Sequence, residues 1–375
     1  MASIQRLPVS LTPLGVALEA LLQRLAPVAP VEIALADALG CAAAQMPPGG
    51  PLPPRDIATR DGWALRSRDL IGASSYSPLP LSTPPVWVEA GDPMPDDCDC
   101  VLDADSLDHA GAVYQVLAEA TPGQGVCRAG QDIAGGNSPI ATGRIITPRD
   151  LLVARSAGLQ RLSVRRPRLH MVNIPAPCGE SVTAQLIFEN ARATGAEIVR
   201  TEAGGRDAAS IAKALDADAC DLIVTIGGTG LGRTDAAIAA LGQRGEILAH
   251  GLALAPGRTA AIGRIGAVPV VALPGAPDHA LGAWWVLALA ALDRLTGRCP
   301  RLTLSLPLAR KIASQVGLAE IALLERTDQA WIPLAVGDLS LAAIERADAW
   351  LTVPDSSEGF AVGTVVDACI FMLRD

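Results

Sequence analysis

The pattern of hydrophobic and polar positions changes near Pro167 and divides the chain into two textures. Before that point, short apolar runs are broken by proline and glycine clusters such as MPPGGPLPPRD at 46–56 and AGDPMPDDCDC at 90–100, the punctuation of β-strands and turns. Two helices are expected there, at 13–25 and 148–158, where apolar residues recur at helical spacing between proline or glycine boundaries. After Pro167 the pattern predicts alternation: strand 168–174, helix 180–194, strand 196–202, helix 207–217, strand 221–226, helix 234–243, strand 268–273 and helix 278–296. The runs DLIVTI and VPVVAL are apolar without interruption, and each leads into a glycine-containing turn and a helix. Such runs belong to parallel strands covered on both faces, so a doubly wound sheet is expected, with its ligand at the carboxyl ends of the strands. Past Gly297, short strands return (RLTLSLPLA, EIALLER, AWIPLAV, AWLTVP and TVVDACIFML).

The expected fold class is therefore multidomain α/β. A linker-type subdomain would span 1–47 and 136–166, a β-rich subdomain 48–135, the central α/β domain 167–298 and a small C-terminal β domain 299–375. A length of 375 residues agrees, because a single core rarely organises that much chain.

Composition narrows the function classes. Half of the residues are hydrophobic but only 3% are aromatic, as ordinary α/β packing requires. The apolar stretch from Ala280 to Leu292 falls well short of the ~20 residues a membrane-crossing helix needs, so it reads as a buried helix. The start, MASIQRLPVSLTPLG, has no basic segment followed by an apolar core and cleavage site, and a cytoplasmic location with no membrane partner is expected. A formal charge of -9 without a basic run argues against nucleic acid as a partner. An anionic ligand must then be held by local features such as backbone N–H groups at glycine turns and helix N-termini. The eight cysteines, at 41, 98, 100, 127, 178, 220, 299 and 369, show no CxxC pair of the kind that holds zinc. Lysine occurs only at 213 and 311, whereas arginine is abundant.

Three turns are candidates for chemistry. In DLIVTIGGTGLGRTDAA, a buried strand runs into Gly227, Gly228, Thr229, Gly230 and Gly232, where glycines let backbone amides approach a ligand, and a helix is expected to open near Thr234 and Asp235. Tight packing alone would also explain such a turn. The spacing fails the dinucleotide fingerprint, which counts against a nicotinamide enzyme. In VVALPGAPDHA, Pro274, Gly275 and Pro277 form a rigid loop with Pro277 suited to the first helical turn. In LALAPGRTAAIG, Pro256 and Gly257 precede Arg258, which suits a phosphate or carboxylate. A cysteine hydrolase built on Cys178 would need His170, His250 or His279 as partner, and an inert cysteine in a proline loop is the plainer reading.

The order GGTGLGRTD, APGRT, LPGAP resembles the GGxSxGxxD, KPGKP, LPGNP series of the molybdopterin molybdenumtransferase family, which includes the E domain of gephyrin. TRDGWAL at 59–65, GDPMPDDCDCVLDAD at 91–105 and AGQDIAGG at 129–136 resemble family segments in the N-terminal half, and LSLAAIERADAWLTVP with AVGTVV resembles the C-terminal ones. The resemblance implies a molybdopterin-binding α/β domain and conversion of adenylated molybdopterin (adenylyl-molybdopterin) and molybdate, the substrates, into molybdenum cofactor with release of AMP. It also implies a homodimer with its cleft between domains of different subunits, a magnesium ion (Mg2+), and as further partners a molybdopterin-adenylating protein and a recipient molybdoenzyme. By motif position Asp61, Asp132 and Asp235 are the corresponding acids, with Asp61 and Asp235 as candidate metal ligands, and Asp105 takes the place of a family glutamate. Turn and cap roles would account for the same residues: Asp61 precedes a glycine, Asp132 lies in a glycine-rich loop and Asp235 is placed to cap a helix.

The family pattern breaks at four places. Where TGDEL carries a glutamate, this chain has PAPCGES at 175–181, so Glu180 is not aligned with that residue, and Glu180 and Ser181 are expected to start the next helix with Ser181 near phosphate. KPGKP reads APGRT, with Ala255 removing one positive charge and Arg258 keeping the other. The asparagine of LPGNP is Ala276, and the serine position of the glycine turn is Gly230. The backbone cradle is kept while side chains around it are lost, which leaves two expectations: an insertase, or a non-catalytic molybdopterin-binding carrier, chaperone or regulator.

Overall fold

A computed structural model describes residues 5, 7–8, 10–46, 48–110, 113–138, 140–176, 181–218 and 220–371. They form two compact units. One comprises Met1–Ala44, Thr142–Ile146 and Ser163–Asp375, and the other Gln45–Ala141 and Thr147–Leu162.

The first unit is built on a six-stranded sheet of β1 (Arg168–Asn173), β2 (Glu197–Glu202), β3 (Leu222–Ile226), β4 (Glu246–His250), β5 (Ala261–Ile265) and β6 (Val268–Leu273). Its order is β2-β1-β3-β6-β5-β4. The pairings among β2, β1, β3 and β6 are parallel, and those of β6 with β5 and of β5 with β4 are antiparallel. The helices are α1 (Val182–Arg192), α2 (Ala208–Ala214), α3 (Ala237–Arg244), α4 (Pro277–Ala283) and α5 (Leu289–Thr296), the last two joined by a π-helical turn at Trp284–Ala288.

Uninterrupted apolar strands place successive side chains on opposite faces, and both faces are covered. Leu169, Met171, Leu222, Val224, Val271 and Leu273 join a core with Ala184 and Ile187 of α1, the long helical stretch from Ala280 to Leu295, and Ala17 and Leu21 of an N-terminal helix, Leu14–Leu22. Val172, Ile223 and Val270 face the other way, onto Ile211 of α2 and Ala240 and Leu241 of α3. The alternation expected after Pro167 is thus the observed one, with each common element agreeing to within a few residues. The pattern did not register β4 and β5, the antiparallel extension of the sheet.

A second sheet in this unit carries the C-terminal strands Thr303–Pro307, Ala319–Arg326, Trp331–Val336, Ala349–Val353 and Val365–Ile370. It also recruits Leu252–Ala255, whose Leu254 pairs in parallel with Ala319, and through that strand Thr12–Pro13. The APGRT segment therefore connects the two sheets, running from Leu252–Ala255 in the second to β5 in the first.

The second unit is β-rich, as expected. Strand Gly62–Leu65 lies between Val86–Val88 and Cys100–Leu102, and Val113–Ala118 lies between Ser74–Pro80 and Leu107–Ala110. Its helix Pro148–Ser156 starts with a capping box, in which Thr147 accepts from the Asp150 backbone while Asp150 accepts from Thr147. No described helix is long and apolar enough to cross a membrane.

Candidate functional site

At the carboxyl end of the first unit's sheet, three turns meet. Gly227 follows β3 in a left-handed conformation (φ +93°) and its N–H donates to Leu273 O at the end of β6, 2.9 Å away. Gly228 is also left-handed (φ +67°), so both positions need glycine. Thr183 of α1 donates its hydroxyl to Gly275 O (2.7 Å), tying the turn after β6 to the first helix. The Thr229 and Thr259 hydroxyls share a hydrogen bond of 3.3 Å, joining the glycine turn to the APGRT loop. That loop in turn abuts α4, because a Cβ at Gly257 would lie 3.5 Å from His279 O and one at Gly282 would meet Pro256 O.

Individual placements differ in what they display. Gly227, Gly228, Thr229, Pro256, Gly257 and Pro274 are buried, Gly230 and Pro277 half-buried, and Gly232, Arg258 and Gly275 exposed. Arg258 makes no side-chain hydrogen bond or ion pair among the described residues, which leaves its guanidinium available to an anion. Ser181 caps α1, accepting from Ala184 N at 3.1 Å. Pro277 occupies the first turn of α4, where its missing N–H costs no helical bond. Glu180 and Cys178 lie outside the described residues.

Asp235 is held inside the glycine turn. Its Oδ2 accepts from Gly232 N (3.0 Å) and its Oδ1 from Arg206 Nη2 (3.0 Å), with side-chain exposures of 17% for Asp235 and 23% for Arg206. The helix expected to open near Thr234 begins instead at Ala237, with Ala236 as N-cap and no side-chain cap. Asp235 is therefore not a helix cap. Its carboxylate is drawn back to the turn by a charged partner 29 residues away in sequence, and the following residues bend so that Ala237 N reaches Gly228 O.

Three residues meet this turn that the sequence did not place there, His250 having been weighed only as a partner for Cys178. Arg206, in the loop between β2 and α2, also donates to Pro175 O and to Thr234 Oγ1 (3.2 Å), so it ties three segments together. Gln5 donates to Gly228 O (3.1 Å) and Gly230 O (2.9 Å) and accepts from Ile238 N (2.9 Å), pinning the turn and the start of α3. His250 reaches Thr229 O (3.2 Å), and burial pushes its imidazole below the ordinary value. No local motif marks these residues, since each acts across a long stretch of chain. Asn173, at the end of β1, has a buried Oδ1 without a partner among the described residues. His170 is engaged at both ring nitrogens, by Asp216 O and Thr201 Oγ1, which makes it structural.

In the second unit, Asp61 is exposed and accepts from Ala90 N through Oδ1 (2.8 Å), leaving Oδ2 without a partner among the described residues. Asp132 is exposed, with the Cys127 thiol 3.9 Å from its Oδ1, and Asp105 is exposed in a short helical turn, Ala104–Ser106. Among the described residues no three metal-ligating side chains gather at one point. Two clefts of about 430 and 440 Å³ in the first unit flank Trp285 and Phe371, and they share no residue with the three turns.

Comparison with known proteins matches residues 12–158 to the family described as MoeA N-terminal region (domain I and II) and residues 179–294 to the one described as "Probable molybdopterin binding domain". The chain is 31% identical over 270 residues to molybdopterin molybdenumtransferase 2 of Mycobacterium tuberculosis, spanning 61% of this chain and 66% of that protein, just under two thirds of its length. It is 24% identical to molybdopterin molybdenumtransferase 1 of the same organism, over 90% of this chain and 94% of that protein. The fold matches the crystal structure of a molybdopterin biosynthesis MoeA protein from Pyrococcus horikoshii with a TM-score of 0.71 at 23% identity, covering 97% of this chain and all of that one. With its motifs in family order, both family regions matched and the fold shared over nearly its whole length, this chain is a divergent member of the molybdopterin molybdenumtransferase (MoeA) family.

Proposed function

We propose that this protein acts in molybdenum cofactor biosynthesis, binding adenylated molybdopterin at the three joined turns and converting it with molybdate to molybdenum cofactor and AMP. The observation that carries this reading is the hydrogen-bonded meeting of the Gly227, Pro256 and Gly275 turns beside an exposed Arg258 whose side chain has no partner among the described residues. Backbone amides and one guanidinium suit a phosphate on a chain whose net charge is negative. Ser181, at the N-terminus of α1 on the same rim, adds a hydroxyl and helix amides. Asp61, Asp132 and Asp235 carry the family's acid positions by resemblance.

Magnesium belongs to this reading through the family and fits the two candidate ligands unequally. Asp61 offers an exposed oxygen to a hard cation. Asp235 does not fit, because both its oxygens are engaged, one by a guanidinium. No step of the reaction is assigned to a metal at Asp235. The same engagement, with Ala255 and Ala276 in place of a lysine and an asparagine, favours the second reading, a carrier, chaperone or regulator that binds the pterin without turning it over. Homodimerisation, a cytoplasmic location and exchange with an adenylating protein and a recipient molybdoenzyme accompany either reading.

The test incubates the purified chain, with an Asp235→Ala variant beside it, with adenylated molybdopterin, molybdate and magnesium, and follows AMP release and retained pterin by chromatography. AMP release lost in the variant supports the insertase. Retention without AMP release supports the carrier, and absence of both refutes the pair.

A further inference from the structure

We propose that the Arg206 guanidinium is the built-in counter-cation of Asp235, standing where a divalent metal would sit on this carboxylate, so that the glycine turn takes its anionic ligand with no metal on Asp235. The proposal deepens the reading above and depends on it only for the identity of the anion.

The geometry argues for it in three ways. First, the carboxylate is seated rather than displayed: Cβ atoms at Gly230 and Gly232 would lie 2.7 and 2.9 Å from Asp235 Oδ2, so the acid packs against both glycines while accepting from Gly232 N. A magnesium ion requires near-octahedral oxygens at about 2.0–2.1 Å and usually keeps several waters, so this packing closes Oδ2 to a cation and leaves Oδ1, the oxygen that Arg206 holds, as the position a metal would need. Second, Arg206 Nη2 lies 3.0 Å from Oδ1, so an ion on that oxygen would sit within a few ångströms of a second positive charge.

Third, the guanidinium cannot easily step aside. Bonds to Pro175 O, just past the end of β1, and to Thr234 Oγ1, inside the turn, orient its planar fork toward Asp235. Arg206 thus acts through Asp235 as a positioning residue, and its exposure of 23% shows that the pair is largely withdrawn from solvent. Removing one partner of such a pair leaves the other charge uncompensated, which is the condition under which an added cation is recruited.

Binding of Mn2+ alone to the full chain, followed by the electron paramagnetic resonance of the free ion, reads this out without any pterin. Wild type and Asp235→Asn are expected to give the same isotherm, whatever sites exist elsewhere. Arg206→Gln is expected to gain a site at least tenfold tighter than anything in wild type, and Arg206→Gln/Asp235→Asn to lose it again. Arg206→Lys, which keeps the charge, should resemble wild type. A wild-type Mn2+ site that Asp235→Asn abolishes overturns the proposal, and so does an Arg206→Gln isotherm that matches wild type. Should Arg206→Gln fail to fold, the wild-type and Asp235→Asn pair decides alone. Expected isotherms without pterin binding would sink the functional reading and leave this one intact.

Discussion

Replacing Gly230 by alanine tests whether the Asp235 carboxylate occupies the glycine turn. The new Cβ would lie 2.7 Å from Asp235 Oδ2, closer than side chains approach, while the Gly230 backbone lies outside the left-handed region and accepts alanine without strain. The carboxylate must move, stretching its bond to Gly232 N or its pair with Arg206. A hydrogen bond to a charged group contributes about 1.5–3 kcal/mol, and with both side chains less than a quarter exposed, solvent screening removes only part of that. Alanine returns about 0.4–1 kcal/mol by restricting the unfolded chain. The net loss should be about 1–2 kcal/mol, read as a lower urea midpoint for the first unit. The decisive comparison is a double-mutant cycle: in an Asp235→Ala background the same Gly230→Ala change should be neutral or slightly stabilising, because the clash is gone. An equal cost in both backgrounds would refute the seated carboxylate.

Other outcomes follow from single residues. Arg258→Ala should leave the unfolding free energy within about 0.5 kcal/mol of wild type, since the side chain is exposed and has no partner among the described residues, yet weaken pterin binding roughly tenfold by calorimetry; unchanged affinity would remove Arg258 from the site. Burial holds the His250 imidazole below its ordinary value of 6.5, so the unfolded chain takes up the proton first as pH falls. Its stabilisation is complete above that value and declines as the pH drops through it toward the lower folded value. Wild type should therefore lose stability relative to His250→Gln between about pH 8 and about pH 5, and the opposite trend would contradict a half-buried imidazole held below its ordinary value. Trp284, only 1% exposed within the main core, should cost about 3–5 kcal/mol when cut to alanine, measured by thermal or urea unfolding; a loss below about 1 kcal/mol would show that the core closes around the gap. Alkylation should spare Cys100, whose thiol is pushed up to about 12 chiefly by burial, and among the described cysteines label exposed Cys299 first; rapid labelling of Cys100 would mean that the unit opens locally.

The strands and helices after Pro167 were legible because their signals are local. A run such as Leu222–Ile226, apolar but for Thr225 and buried throughout, has few options other than a strand covered on both faces, and the glycines behind it announce a turn where side chains are excluded. The same locality made the family motifs readable in order, and with them the three turns. Composition and charge supplied the remaining expectations, a net charge of -9 without a basic run and no apolar stretch of membrane-crossing length, and no helix among the described residues is long and apolar enough to cross a membrane.

What the turns contain was decided only by the tertiary structure. Whether Asp235 caps a helix, binds a metal or pairs with a cation depends on which charge the fold brings to it, and Arg206 arrives from a loop on the far side of α2 and β3. Gln5 reaches the same turn across more than two hundred residues, and Leu252–Ala255 leaves its neighbours β4 and β5 to pair with Ala319 in another sheet. Periodicity records which face of an element is buried, not which distant partner buries it. Contacts of that kind are settled by packing and charge pairing over the whole unit, so a sequence can state that a site's cradle exists before it can state what fills it.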